Sequence, residues 1–68
     1  MVDAKQAFGM SLEQMVESAK VDVTNCDTFL AEIDRRAAKR VASGKKVPGR
    51  YAKTVTLLRD VMAHGDFR

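Results

Sequence analysis

The chain has a single cysteine, a single histidine, a single proline and no tryptophan. Cys26 alone closes no intrachain disulfide, and a lone thiol suits a reducing compartment. Cys26 and His64 together fall short of the four Cys/His ligands that a structural zinc takes, so no metal and no cofactor are expected. No apolar run approaches the ~20 residues that span a bilayer. The opening residues Met1-Val2-Asp3-Ala4-Lys5-Gln6 lack the charged-then-apolar order of a signal peptide. These features predict a soluble, cytoplasmic protein. Chains below ~70–80 residues rarely bury enough apolar surface to be comfortably stable alone. With disulfide and metal set aside, self-association is the remaining remedy, and a 46% hydrophobic content can support it.

Catalytic patterns are also missing. Cys26 falls on an apolar periodicity where a small buried side chain is wanted, and His64 falls in a last helical turn, where it can face the helix dipole. No third group orients such a pair. The segment SGKKVPG, residues 43–49, lacks the spacing of a phosphate-binding loop. The four methionines suit core packing. The chain is therefore expected not to be an enzyme, and no small-molecule substrate is evident.

Charge is present but segregated. Residues 1–34 hold seven carboxylates and two lysines, a net −5, whereas residues 35–53 hold eight cations and no acid. The remaining fifteen residues balance to zero. The chain is a charge dipole, unlike the broadly basic domains typical of nucleic-acid binding.

Periodicity predicts an all-α fold. Ser11 and Gln14 have the spacing of a capping box, with Met10 and Met15 placed as a hydrophobic staple. Leu12, Val16, Ala19, Val23, Cys26, Leu30, Ile33 and Ala37 then recur at helical spacing, a heptad-like seam. The stretch VDVTNCDT, residues 21–28, has poor helix propensity, and Thr24, Asn25 or Asp27 are candidate caps for a new helix. Because the seam keeps phase across it, one long helix over 11–43 is favoured. Gly44 is its stop, and Val47-Pro48-Gly49-Arg50 reads as a type II turn. A second helix over 50–64 follows, with Tyr51, Val55, Leu58 and Met62 as its stripe and Gly65 as its end. Phe67 is then placed to fold back on Val61 or Met62. Residues 1–10 form an N-terminal arm, either a short turn from Asp3 to Phe8 or a loose segment, and residues 11–68 form a helical hairpin domain.

Such a hairpin leaves one apolar side open, and two of them close an antiparallel homodimeric four-helix bundle. The expected dimer core is Leu12, Val16, Ala19, Val23, Cys26, Leu30, Ile33, Ala37, Val55, Leu58 and Met62. Pairing about Cys26 sets Glu13 and Glu17 against Arg36, Lys39 and Arg40 of the second copy. In plan the chain resembles the plasmid copy-number regulators of the Rop type, small hairpin dimers that bind paired RNA loops. The resemblance lies in architecture and carries no residues over.

The expected function is a small regulatory or inhibitory protein that binds a larger protein through a helical surface. Short helical proteins of phage or plasmid origin commonly work this way. The expected partner-binding residues are Arg35, Arg36, Lys39, Arg40, Lys45, Lys46, Arg50, Tyr51, Lys53 and Phe29, with Val21 and Phe67 as further apolar contacts; arginine and aromatic side chains dominate interface energetics. The alternative is an RNA- or DNA-binding regulator that uses the basic tip 35–53, with phosphates neutralised by the cations and Tyr51 stacked on a base.

Overall fold

A computed structural model describes residues 2–64. The described residues form four α-helices, α1 Ala4–Phe8, α2 Leu12–Val21, α3 Cys26–Ala42 and α4 Gly49–His64, with a 3₁₀ turn at Val23–Asn25 between α2 and α3. Among the described residues there is no strand, and no helix is long and apolar enough to cross a membrane.

Each start has a local cause. Asp3 caps α1 by accepting from the Gln6 N–H at 2.8 Å, while the Gln6 side chain accepts from the Asp3 N–H at 3.1 Å. The short-turn alternative for the first ten residues is therefore the one that forms, and Ala7 on it is fully buried. Ser11 and Gln14 close the second capping box in the same reciprocal way, at 3.1 and 2.8 Å. Met10, just before that cap, packs against the cluster that holds Met15.

The single helix expected over 11–43 is not what forms. Asp22 takes an extended backbone, φ −143° and ψ 102°. Its carboxylate accepts from the Thr24 N–H at 3.1 Å and the Thr24 hydroxyl at 2.6 Å. These local bonds give the backbone an alternative to the helix ladder, and they hold the Asp22 carboxyl below its ordinary value. Asn25 is buried and its side chain is spent on tertiary bonds, accepting from the Val2 N–H at 2.9 Å and donating to Ser18 Oγ at 3.2 Å. Both ends of that side chain pin α2, α3 and the chain's first residues at one corner.

The end of α3 follows expectation. Gly44 has φ +73°, and the Gly44 and Lys45 N–H groups donate to the carbonyls of Val41 and Arg40 at 3.0 and 2.8 Å. This is the Schellman pattern, which needs a left-handed residue at the position of Gly44. A Cβ there would meet no atom within 4 Å, so Gly44→Ala isolates the backbone penalty. We expect a loss of about 1–2 kcal/mol, read as a lower midpoint in thermal melts followed by circular dichroism; an unchanged midpoint would contradict it. The type II turn at 47–50 is not formed. It needs positive φ at Gly49, but Gly44 alone has that conformation among the described residues. Gly49 instead opens α4, and the Pro48 carbonyl accepts from the Tyr51 N–H at 3.0 Å.

α4 packs on both α3 and α2, and α1 packs on α3. The start of α4 lies beside the start of α2, where Leu12, Glu13, Arg50 and Tyr51 border one hollow. The result is thin, with principal extents of 41 × 22 × 15 Å. Its core is Ala7, Leu12, Met15, Ala19, Cys26, Phe29, Ile33, Leu58 and Val61. Of the residues expected between two copies, Leu12, Ala19, Cys26, Ile33 and Leu58 are buried within one chain, so they are not available to a seam between copies. Val16, Val23, Leu30, Ala37 and Val55 are half-buried, and Met62 is exposed. On α4 Leu58 of the expected stripe is fully buried and Tyr51 and Val55 pack against the core, while Thr54 and Val61 are buried as well and Met62 is exposed, because this helix is covered by α2 as well as α3. The expected stop at Gly65 and the fold-back of Phe67 lie outside the described residues.

Candidate functional site

The basic stretch spans three pieces of structure: the second half of α3, the loop 43–48 and the first turn of α4. Its arginines are already engaged. Glu32 is 6% exposed and lies one turn before Arg35 and Arg36. Arg35 grips it bidentately, Nε to Oε1 at 3.0 Å and Nη2 to Oε2 at 2.7 Å. Arg36 donates from Nε to Oε2 at 2.7 Å. The hydrogen bond from Arg35 is the main reason the Glu32 carboxyl lies below its ordinary value, with Arg36 adding to it and burial opposing. Arg35 also lies over the exposed Phe8 ring, 4.6 Å from its centroid.

Arg36 reaches further. Its Nη2 donates to the carbonyls of Ala7, Phe8 and Met10 at 3.0, 3.2 and 2.7 Å. Those carbonyls lie at and just beyond the end of α1, where the helix ladder has run out; that of Ala7 also accepts from the Met10 N–H at 3.0 Å. One guanidinium thus joins α1, the entry to α2 and α3. Arg40 has a similar role at the tip, donating from Nε to the Lys46 carbonyl at 2.8 Å and tying the loop back to its helix.

These bonds correct the pairing expected between copies. Arg36 is paired with the buried Glu32 of its own chain, so it is not free for that pairing. Phe29 needs a second correction: it is 0% exposed and cannot be a contact for a partner. Val21 is exposed at the end of α2, and Phe67 is outside the described residues.

What remains free is a smaller set. Lys39, Lys45, Lys46, Arg50 and Lys53 form no ion pair among the described residues. A cleft of about 270 Å³ opens between α3 and the start of α4, bordered by Lys39, Arg40, Ser43, Lys45 and Tyr51 together with Arg35 and Arg36. The structure thus gathers six of the residues expected from sequence around one concavity. Arg50 and Lys53 border a different hollow, between α2 and α4. Tyr51 is half-buried and packs against the core.

Sequence reasoning missed Glu32 as the hub of the arginines. The signal was available, since one acid stands three and four residues before two arginines, the spacing of helical side-chain pairs. The carbonyl bonds of Arg36 had no such signal. Cys26 is buried, and burial pushes its thiol up, away from the thiolate form. His64 is exposed and 3.5 Å from Asp60. Among the described residues no cluster of His, Cys, Asp and Glu is arranged to hold a metal.

No protein-family model matches the chain, and neither the curated proteins nor the solved structures contain a match.

Proposed function

We propose that the chain is a small non-enzymatic regulatory or inhibitory protein that docks its basic tip on an acidic surface of a larger protein, and that its working form is a pair of chains. The observation that carries the docking is the separation of the cations into two sets. Arg35 and Arg36 are consumed by Glu32 and backbone carbonyls, whereas Lys39, Lys45 and Lys46 at the tip have no carboxylate partner among the described residues. Arg40 holds the loop that carries Lys45 and Lys46 against α3, so their backbone needs little ordering on binding, and preorganisation of this kind lowers the cost of association. A protein partner fits better than a long polyanion. The tip is one cleft wide, and the seven carboxylates of residues 1–34 would repel phosphates that run past it.

A second reading rests on Tyr51, whose ring borders the cleft beside two of the free lysines. In it the partner is RNA or DNA, with phosphates on the cations and a base against the ring. One comparison separates the two. Wild type and a Lys45→Glu/Lys46→Glu variant are used as baits in nuclease-treated lysate, and both are titrated into labelled DNA and RNA by fluorescence anisotropy. We expect a protein retained by wild type after nuclease treatment and lost with the variant. On the nucleic-acid reading, anisotropy instead shows binding that weakens roughly tenfold or more between low and moderate salt, and the protein reading falls.

A further inference from the structure

We infer that the hollow between α2 and α4 is the face on which a second copy of this chain docks, by a two-fold axis running along the two helices. The inference rests on the reading that the working form is a pair of chains, and it identifies the surface. The hollow holds about 310 Å³. Val16 and Leu57 line it, Leu57 being 47% exposed although it is a large apolar side chain. Glu13 and Glu17 stand on its α2 wall, and Arg50 and Lys53 on its α4 wall. No ion pair joins the two walls within the chain.

A two-fold interface must be complementary to itself, because the same patch serves both copies. The basic tip fails this condition, since pairing it with itself sets cation on cation. The α2–α4 face meets it, with an apolar floor between walls of opposite sign. The direction of the axis follows from the same charges. α2 and α4 begin side by side, so an axis along the helices lays the acidic wall of one copy over the basic wall of the other at the same height. An axis across the helices would lay acid on acid, and like charges placed together select against that arrangement. The thin shape of the chain supplies the need: a layer with a smallest extent of 15 Å leaves helix faces uncovered, and chains of this size usually depend on an added staple.

Sedimentation velocity over a concentration series tests this, with circular dichroism to check the fold. Wild type is expected to dimerise with a midpoint below about 100 µM. Leu57→Glu, Glu13→Lys/Glu17→Lys and Arg50→Glu/Lys53→Glu are each expected to weaken the dimer about tenfold or more. Combining the two charge reversals is expected to restore it, because the walls are then exchanged as a pair. Lys45→Glu/Lys46→Glu is expected to leave the dimer unchanged, which separates this face from the docking tip. A wild type that stays monomeric overturns both the dimer and its face. A dimer indifferent to Leu57→Glu, or charge reversals without rescue, overturns the face alone. Should Leu57→Glu lose its helical signal, the charge exchange decides the matter, since its four positions are all exposed.

Discussion

Replacing Phe29 with alanine is expected to cost about 3–5 kcal/mol, the usual range for a large aromatic removed from a packed core. Phe29 is the largest of the fully buried side chains, in a cluster with Met15, Ile33, Leu58 and Cys26. A chain of this length has a total stability of roughly 3–10 kcal/mol. Phe29→Ala should therefore be largely unfolded near room temperature, with a weak or absent cooperative transition in a thermal melt. Phe29→Leu keeps most of the apolar volume and should recover much of the loss. The outcome separates a core role from a surface one. A partner contact would leave stability within about 0.5 kcal/mol of wild type and change binding alone. A wild-type midpoint for Phe29→Ala would thus overturn the packing described above.

From sequence Phe29 is expected at a partner surface, and the structure departs from that for a physical reason. Periodicity along one helix says which residues share a face but not how wide the covered arc is. Leu30, on the expected seam, is only half-buried, while Phe29 beside it is covered completely. The same limit explains α4, where Thr54 and Val61 are buried and Met62 is not. Features decided within a few residues were readable in advance: the Ser11–Gln14 box, the stop at Gly44 and the span of α4. A break within residues 21–28, capped at Thr24, Asn25 or Asp27, stands in the sequence against a seam whose phase favours one helix, and the structure breaks at Asp22. Phase is a poor guide here, since α2 and α3 both face the same core and each needs apolar residues toward it. What decided the break was competition from the Asp22 and Thr24 side chains, with Asn25 held by Val2 and Ser18, one of them 23 residues away.

The basic stretch shows the same division between near and far. A count of eight cations treats them as equivalent. In the structure the arginines at 35, 36 and 40 hold the fold together, while the lysines at 39, 45, 46 and 53 form no ion pair among the described residues. Arginine suits the first task, because its planar fork bonds several acceptors at once, whereas a lysine is a single flexible point charge. A charge-reversal experiment on Arg36 would therefore mix loss of fold with loss of binding. The lysines at 45 and 46 are the cleaner probes.

Arg36→Ala is accordingly expected to destabilise the chain by about 2–4 kcal/mol, as when one partner of a buried ion pair is removed. The Arg36 side chain is 20% exposed and Glu32 6%, so the interactions lost are partly shielded from water. Truncation leaves Glu32 with Arg35 alone, which is the more exposed of its two partners. It also removes the Arg36 donor from the carbonyls of Phe8 and Met10 and leaves that of Ala7 with backbone N–H groups alone, so α1 should detach from α3. Arg36→Lys keeps the charge but cannot span Glu32 and three carbonyls, and most of the loss should remain. Acid gives an independent reading of the same site. The arginines hold Glu32 below its ordinary value of 4.5. Its contribution is therefore complete above that value and disappears as pH falls through the lowered one. Wild type should lose stability between about pH 5 and pH 3 more steeply than Arg36→Ala, which has less of this contribution to lose. Urea midpoints across that range measure the difference. Parallel pH profiles for the two proteins would show that Arg36 stabilises the fold through the carbonyls alone.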